Sequence, residues 1–189
     1  MKLLRFSLLF FSFLFYAQEN LLVEQIKENQ GIMKSDREKG FNDLLNLEKK
    51  AHDEQNAPAE LEILNNKAFY YFIKGDYDEA YSIAKVLVRR ANSSKNSRLY
   101  AIGLNRQGIV LSFLHIYDEA EKTLLQSQNF LSKNSFPEDY LVKAQNYQLL
   151  SDNYTHTSQP EKALDNFKKT ITEYLKISDE HERQNQPAK

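Results

Sequence analysis

Residues Gly75–Lys85 read GDYDEAYSIAK, and residues His115–Gln126 read HIYDEAEKTLLQ. With Ala80 set on Ala120, Tyr77-Asp78-Glu79 lies over Tyr117-Asp118-Glu119. The agreement extends in both directions. Twelve residues before each alanine stands another small residue, Ala68 or Gly108; nine before stands Tyr71 or Leu111; four after stands Ala84 or Leu124. A fixed period near forty with small residues at fixed places marks a stacked repeat, whose units cannot bury their apolar faces alone. Small side chains belong where two helices approach closely. Gly75 suits a left-handed helix end, and Asp76 with Glu79 three residues on suits the start of the next helix.

A third unit follows with Ala163 in the Ala80 place, Ser151 in the small place, Tyr154 in the Tyr71 place and Phe167 in the Ala84 place, its start marked by Ser158, Pro160 and Glu161. A degenerate unit precedes the others. Ser35 and Glu38 make a capping pair, Leu44 and Leu47 follow at helical spacing, and Gly40 takes the alanine place. The steps are 40 (80 to 120) and 43 (120 to 163), and the extra residues fall in ANSSKNSR and LSKNSFPEDY, both of turn composition. Ser135, Pro137 and Glu138 stand in order for a helix start. The pattern predicts helices near 20–33, 36–53, 58–74, 76–92, 97–114, 116–132, 137–156 and 160–178, with a frayed polar tail at 179–189.

The stretch YYFIKGDYDEAYSIAKVL resembles a tetratricopeptide repeat (TPR), a helix–turn–helix unit with small, aromatic and alanine positions at these spacings. The resemblance covers most of residues 20–178, in units at 61–94, 101–134 and 144–178 after the degenerate one within 18–56; His115 replaces the turn glycine in the second. It implies an all-α, right-handed solenoid of antiparallel helix pairs that binds protein or peptide without catalysis. The period exceeds the family's commonest thirty-four and is similar to that of TPR segments in bacterial AraC-type or kinase regulators. This resemblance implies the exported sensor segment of a larger protein. A free periplasmic adaptor in an envelope assembly is the alternative, and an exported enzyme a distant third.

Composition agrees with helices. Of 189 residues, 41% are hydrophobic and 27% charged, and only five are Gly and four Pro, too few for many strand turns. The first stretch, MKLLRFSLLFFSFLFYAQ, has Lys2 and Arg5 ahead of an apolar run from Phe6 to Tyr16, and Ala17 precedes a plausible cut. It reads as a signal peptide (1–17), which predicts export, to a periplasm in the reading favoured above. That run is too short to span a bilayer, which takes about 20 apolar residues, and no later run matches it. Without residues 1–17 the chain carries 23 basic and 26 acidic residues, a balance that does not suggest nucleic acid. There is no cysteine, so neither disulfides nor thiol chemistry are available.

Catalytic and cofactor patterns are missing. His52, His115, His156 and His181 form no metal-ligand spacing, and neither a phosphate loop nor a nucleophile elbow occurs. Asp78 and Glu79 are adjacent on a helix and complement its dipole instead of converging. Two Asn-x-Ser/Thr triplets, at Asn92 and Asn153, are of a kind frequent by chance. The resemblance places a ligand groove on the first helix of each unit. By register its candidates are Asn65, Phe69 and Phe72, then Asn105, Ile109 and Ser112, then Gln148, Asp152 and Thr155. The amides of Asn65 and Asn105 are expected to serve an extended ligand, since an amide both donates and accepts. A carboxylate clamp of the chaperone-binding kind is not expected, because Phe69 and Ile109 stand where it needs Asn. The last helix directs Ala163, Phe167, Thr170 and Tyr174 towards its partner and carries a second stripe, Leu164, Ile171 and Leu175, expected to stay exposed as a docking edge for a further repeat, a second copy or another protein.

Overall fold

The computed structural model describes residues 21–133 and 140–184, with side-chain surroundings up to Lys176. The signal-peptide segment, the Ser135–Pro137–Glu138 start and the last five residues lie outside the described residues. Eight helices occupy the described chain: α1 (21–35), α2 (Arg37–Asp53), α3 (Ala57–Lys74), α4 (Tyr77–Ser93), α5 (Ser97–Phe113), α6 (Tyr117–Lys133), α7 (Tyr140–His156) and α8 (Pro160–Gln184). No strand occurs among the described residues. Helices neighbouring in sequence pack together from α2 to α8, and α5 also touches α3 and α7, so odd-numbered helices form a layer of their own. The fold is an all-α, solenoid-like repeat.

One turn chemistry recurs throughout. Gln55, Gly75, Lys95 and His115 all have positive φ (52°, 87°, 57° and 61°) and stand twenty residues apart, and Ser158 (59°) repeats the conformation. After each, the next backbone N–H reaches back five residues. Asn56 donates to Ala51 O at 2.9 Å, Asp76 to Tyr71 O at 2.9 Å, Asn96 to Ala91 O at 2.8 Å, Ile116 to Leu111 O at 2.9 Å and Gln159 to Tyr154 O at 2.8 Å. This bond closes a helix C-terminus around a left-handed residue. Three of those donors then cap the next helix with their side chains: Asn56 accepts from Ala59 N, Asp76 from Glu79 N and Asn96 from Leu99 N. The forty-residue period is therefore two twenty-residue steps, each one helix plus a two- or three-residue corner.

Local expectations change in three places. The cap of α2 is Asp36, which accepts from Lys39 N at 3.1 Å, while the Ser35 hydroxyl donates back to Ile32 O within α1. Ser158 is the left-handed residue that closes α7, not the cap of α8. The helix α8 runs on to Gln184, so residues 179–184 are helical rather than a frayed tail.

The core is distributed along the stack. Leu22, Ile26, Met33, Leu44 and Ile63 join α1, α2 and α3; Leu61, Leu87, Ala91, Leu99 and Ile102 join α3, α4 and α5; Leu124, Leu150, Tyr154 and Ala163 join α6, α7 and α8. The small positions are the close approaches. Ala68, Ala80 and Ala120 are buried. A Cβ on Gly108 would lie 2.5 Å from Leu124 Cδ2, and one on Gly40 would lie 2.7 Å from Met33 backbone atoms.

Candidate functional site

Polar side chains tie the odd-numbered helices together. Between α1 and α3, Asn66 donates to Ile26 O and accepts from Gln30 Nε2 at 2.6 Å. Between α3 and α5, Arg106 Nε donates to Asn65 Oδ1 at 3.0 Å, and Arg98 Nη1 donates to Glu62 Oε1 at 3.0 Å. Between α5 and α7, Asn105 Nδ2 donates to Asn146 Oδ1 at 3.0 Å, and Asn146 Nδ2 donates in turn to Ser127 Oγ at 3.0 Å. Burial lowers the Arg106 guanidinium to a pKa of about 10, against the opposing pull of Glu62.

This ladder consumes two residues read above as ligand contacts. Asn65 and Asn105 are buried, and their amides bind neighbouring helices rather than facing an open groove. Asn105 Oδ1 has no partner and is itself shielded. The physical reason lies in the layer: α3, α5 and α7 touch, so an inward helix position meets the next helix before it meets solvent. Phe69 is half-buried with Arg106 5.3 Å and Lys34 5.9 Å from its ring centre. Ile109 is also half-buried, and Gln148 is exposed.

The remaining candidates gather at one edge of the stack. Phe72 from α3 meets Phe113 at the end of α5, edge to face, with centroids 4.9 Å apart, and Tyr77 stands 5.8 Å from Phe72. Beyond Phe113 opens a cleft of about 300 Å³ between the ends of α5 and α7, lined by Ser112, Tyr117, Leu149, Asp152, Thr155 and other residues. His156 stacks on Tyr117 at 5.3 Å and 9°. His115 Nδ1 is 2.7 Å from Tyr117 Oη. Its turn position comes from its left-handed backbone, and the ring thereby reaches the same cleft. Burial raises the Asp152 carboxyl above its ordinary value, partly offset by His156 one turn later. The structure thus brings Ser112, Asp152 and Thr155 together as one site and adds His115, Tyr117 and His156, which motif reading set aside. No spacing in the sequence marked the pair, because in the repeat register His115 corresponds to Ser158 and His156 to Phe113. Among the described residues no three His, Asp or Glu side chains converge as for a metal ion.

The second candidate surface is the outer side of α8. Leu164 is 55%, Ile171 46% and Leu175 59% exposed, and Phe167 (52%) and Tyr174 (42%) stand beside them. Phe167 and Tyr174 were expected to face α7; instead Ala163, Asn166, Thr170 and Glu173 are the buried residues. An apolar hollow of about 710 Å³, lined by Pro160, Leu164, Phe167 and their neighbours, opens on this side.

No helix among the described residues is long and apolar enough to cross a membrane. No known protein family, curated protein or solved structure matches the chain.

Proposed function

We propose that the chain is a non-catalytic protein- or peptide-binding scaffold of the tetratricopeptide kind, and that its edge cleft takes a basic side chain of the ligand. The small-residue register and the left-handed corners support the repeat assignment. The observation that carries the binding reading is the cleft itself. Ring faces attract cations, and here Tyr117 and His156 stand beside Phe113 with Asp152 among them. A carboxylate whose ionised form is disfavoured by burial gains from an incoming positive charge.

The test is binding of short peptides bearing Lys, Arg or a neutral residue at one central position, measured on the purified protein. Preference for the basic peptides, lost in Asp152→Asn and in Tyr117→Ala, supports the reading. Equal binding of basic and neutral peptides, or none of either, overturns it.

We place this scaffold in an exported compartment, as the sensor segment of a regulator. The support is the leader-like composition of residues 1–17 and the long repeat period. N-terminal sequencing of the protein from a periplasmic fraction checks the export: a chain beginning at Gln18 supports it, and an intact Met1 in the cytoplasm refutes it. A membrane helix and an effector domain encoded beyond Lys189 would support the sensor role.

A further inference from the structure

We infer that the exposed face of α8 is a self-association surface, on which α8 of a second copy packs antiparallel. This is independent of the edge cleft and rests on three observations.

First, the face is the internal helix interface repeated once more. In the repeat register Phe167 corresponds to Leu124 and Ala84, and Tyr174 to Leu131 and Ala91. Ala84, Ala91, Leu124 and Leu131 are all wholly buried, whereas Phe167 and Tyr174 are 52% and 42% exposed. In the inner units the next helix packs on these positions too: Ala91 clusters with Leu99 and Ile102 of α5, and Leu124, which also meets Gly108 of α5, clusters with Leu150 and Tyr154 of α7. No described helix covers α8. The neighbour that would continue the packing pattern is a helix antiparallel to α8, as successive helices of the stack are.

Second, the face is complementary to itself. Leu164, Phe167, Ile171 and Tyr174 are spaced three, four and three, the seam pattern of helices that pair along one narrow stripe. That spacing reads the same in both directions. An antiparallel copy sets Leu164 against the partner's Tyr174 and Phe167 against the partner's Ile171, with a two-fold axis between. Two-fold closure of this kind uses the same patch on both subunits.

Third, among the described residues the opposite end of the stack offers no match for head-to-tail addition. Along α1 the exposed residues after Leu21 are Glu24, Gln25, Glu28, Gly31, Lys34 and Ser35. A copy adding there would set the α8 stripe against charge, whereas the α8–α8 pairing covers both stripes at once. Lys168 is exposed on the flank of the seam and lies near its counterpart beside the axis, so screening salt favours the pair.

Sedimentation of the purified protein, from micromolar to submillimolar concentration, tests the inference. The expected result is a reversible dimer, weakened at least about tenfold by Ile171→Lys and unaffected by Lys169→Gln, whose side chain lies off the seam beside Asp165 and the ring of Tyr147. Circular dichroism confirms that each variant stays folded. The chain has no cysteine, so engineered pairs read the register without destabilising charge. A mixture of Leu164→Cys and Tyr174→Cys chains forms an interchain disulfide. Leu164→Cys alone does not, because the two copies of that position lie about 15 Å apart along the seam. A protein monomeric at every concentration, a dimer indifferent to Ile171→Lys, or ready cross-linking of Leu164→Cys alone would overturn the inference.

Discussion

A Cβ built on Gly108 would stand 2.5 Å from Leu124 Cδ2 and 2.6 Å from Leu124 Cγ, so α5 and α6 meet at a separation that leaves no room for a methyl group. The preceding unit solves the same crossing differently, with Ala68 and Ala84 both buried at the equivalent places. Volume lost on the first helix is regained on the second. Gly108→Ala is therefore expected to cost about 1–3 kcal/mol through overpacking, despite the better helix propensity of alanine. Leu124→Ala alone should cost about 2–5 kcal/mol. The double variant recreates the alanine pair and should lose clearly less than the two costs added. Urea unfolding of the four proteins measures the coupling, and strictly additive costs would mean that Leu124 simply swings aside.

The five left-handed corners make a second prediction. Gln55, Lys95 and Ser158 hold positive φ with a side chain present, a conformation that costs an L-residue about 1–2 kcal/mol. Glycine removes that strain but loosens the unfolded chain, so each of Gln55→Gly, Lys95→Gly and Ser158→Gly should gain about 0.5 kcal/mol. Gly75→Ala should lose about 1 kcal/mol. Thermal unfolding of the triple glycine variant should show a higher midpoint; an unchanged or lower one would argue that the corners are not strained.

These corners also show what the sequence could convey. Gly75 and Asp76 announce their turn by residue type, and Tyr-Asp-Glu-Ala fixes the phase of two units, so the helix boundaries were legible to within a few residues except at the end of α8. Gln55 and Lys95 adopt the same conformation without any such preference, because the surrounding helices dictate it; the twenty-residue step was thus hidden. Polarity misled at Asn65 and Asn105. An asparagine on an inward face reads as a ligand contact, but bonds to Arg106 and Asn146 satisfy it inside the stack, and nothing local reveals a partner forty residues away. On α8 the error ran the other way. The exposed stripe of Leu164, Ile171 and Leu175 was readable from spacing, whereas Phe167 and Tyr174 were assigned to the core by the repeat register, in line with Ala163 and Thr170. Whether such positions are buried depends on the next helix, not on their own.

The ladder between α3 and α5 has a charged centre. The Glu62 side chain is only 3% exposed and meets Arg98 at 3.0 Å, and Asn65 Nδ2 donates to its other oxygen at 3.3 Å. Removing the carboxylate charge would leave Arg98 facing a neutral amide and Arg106, already lowered to about 10 by burial, without its opposing charge. Breaking a buried pair costs about 3–5 kcal/mol, and the partial exposure of Arg98 puts Glu62→Gln at the lower end, about 3 kcal/mol. Denaturant unfolding should show this loss with circular dichroism at low denaturant unchanged. A cost below about 1 kcal/mol would place the pair with ordinary surface ion pairs.

Tyr154 links α7 to α6 through a hydrogen bond donated to Glu121 Oε1 at 2.7 Å. Burial first, and then this bond and the negative charge of Glu121, push the phenol from 10.0 up to about 12. The folded state therefore holds the proton more tightly than the unfolded chain does. The associated stability is fully present below pH 10 and is lost as the pH rises from there through about 12. Tyr154→Phe removes both the bond and the titration. Near neutral pH it should cost about 1.5–3 kcal/mol, the usual range for a hydrogen bond to a charged group. As the pH rises through that window the parent protein should weaken more steeply than the variant, and the gap between them should close. Comparing the two proteins at each pH cancels the titration of the other tyrosines, which both share. Urea unfolding across this range is the measurement. A gap that stayed constant to pH 12 would mean that Tyr154 ionises alike in the folded and unfolded chains, and that its bond to Glu121 does not hold α7 on α6.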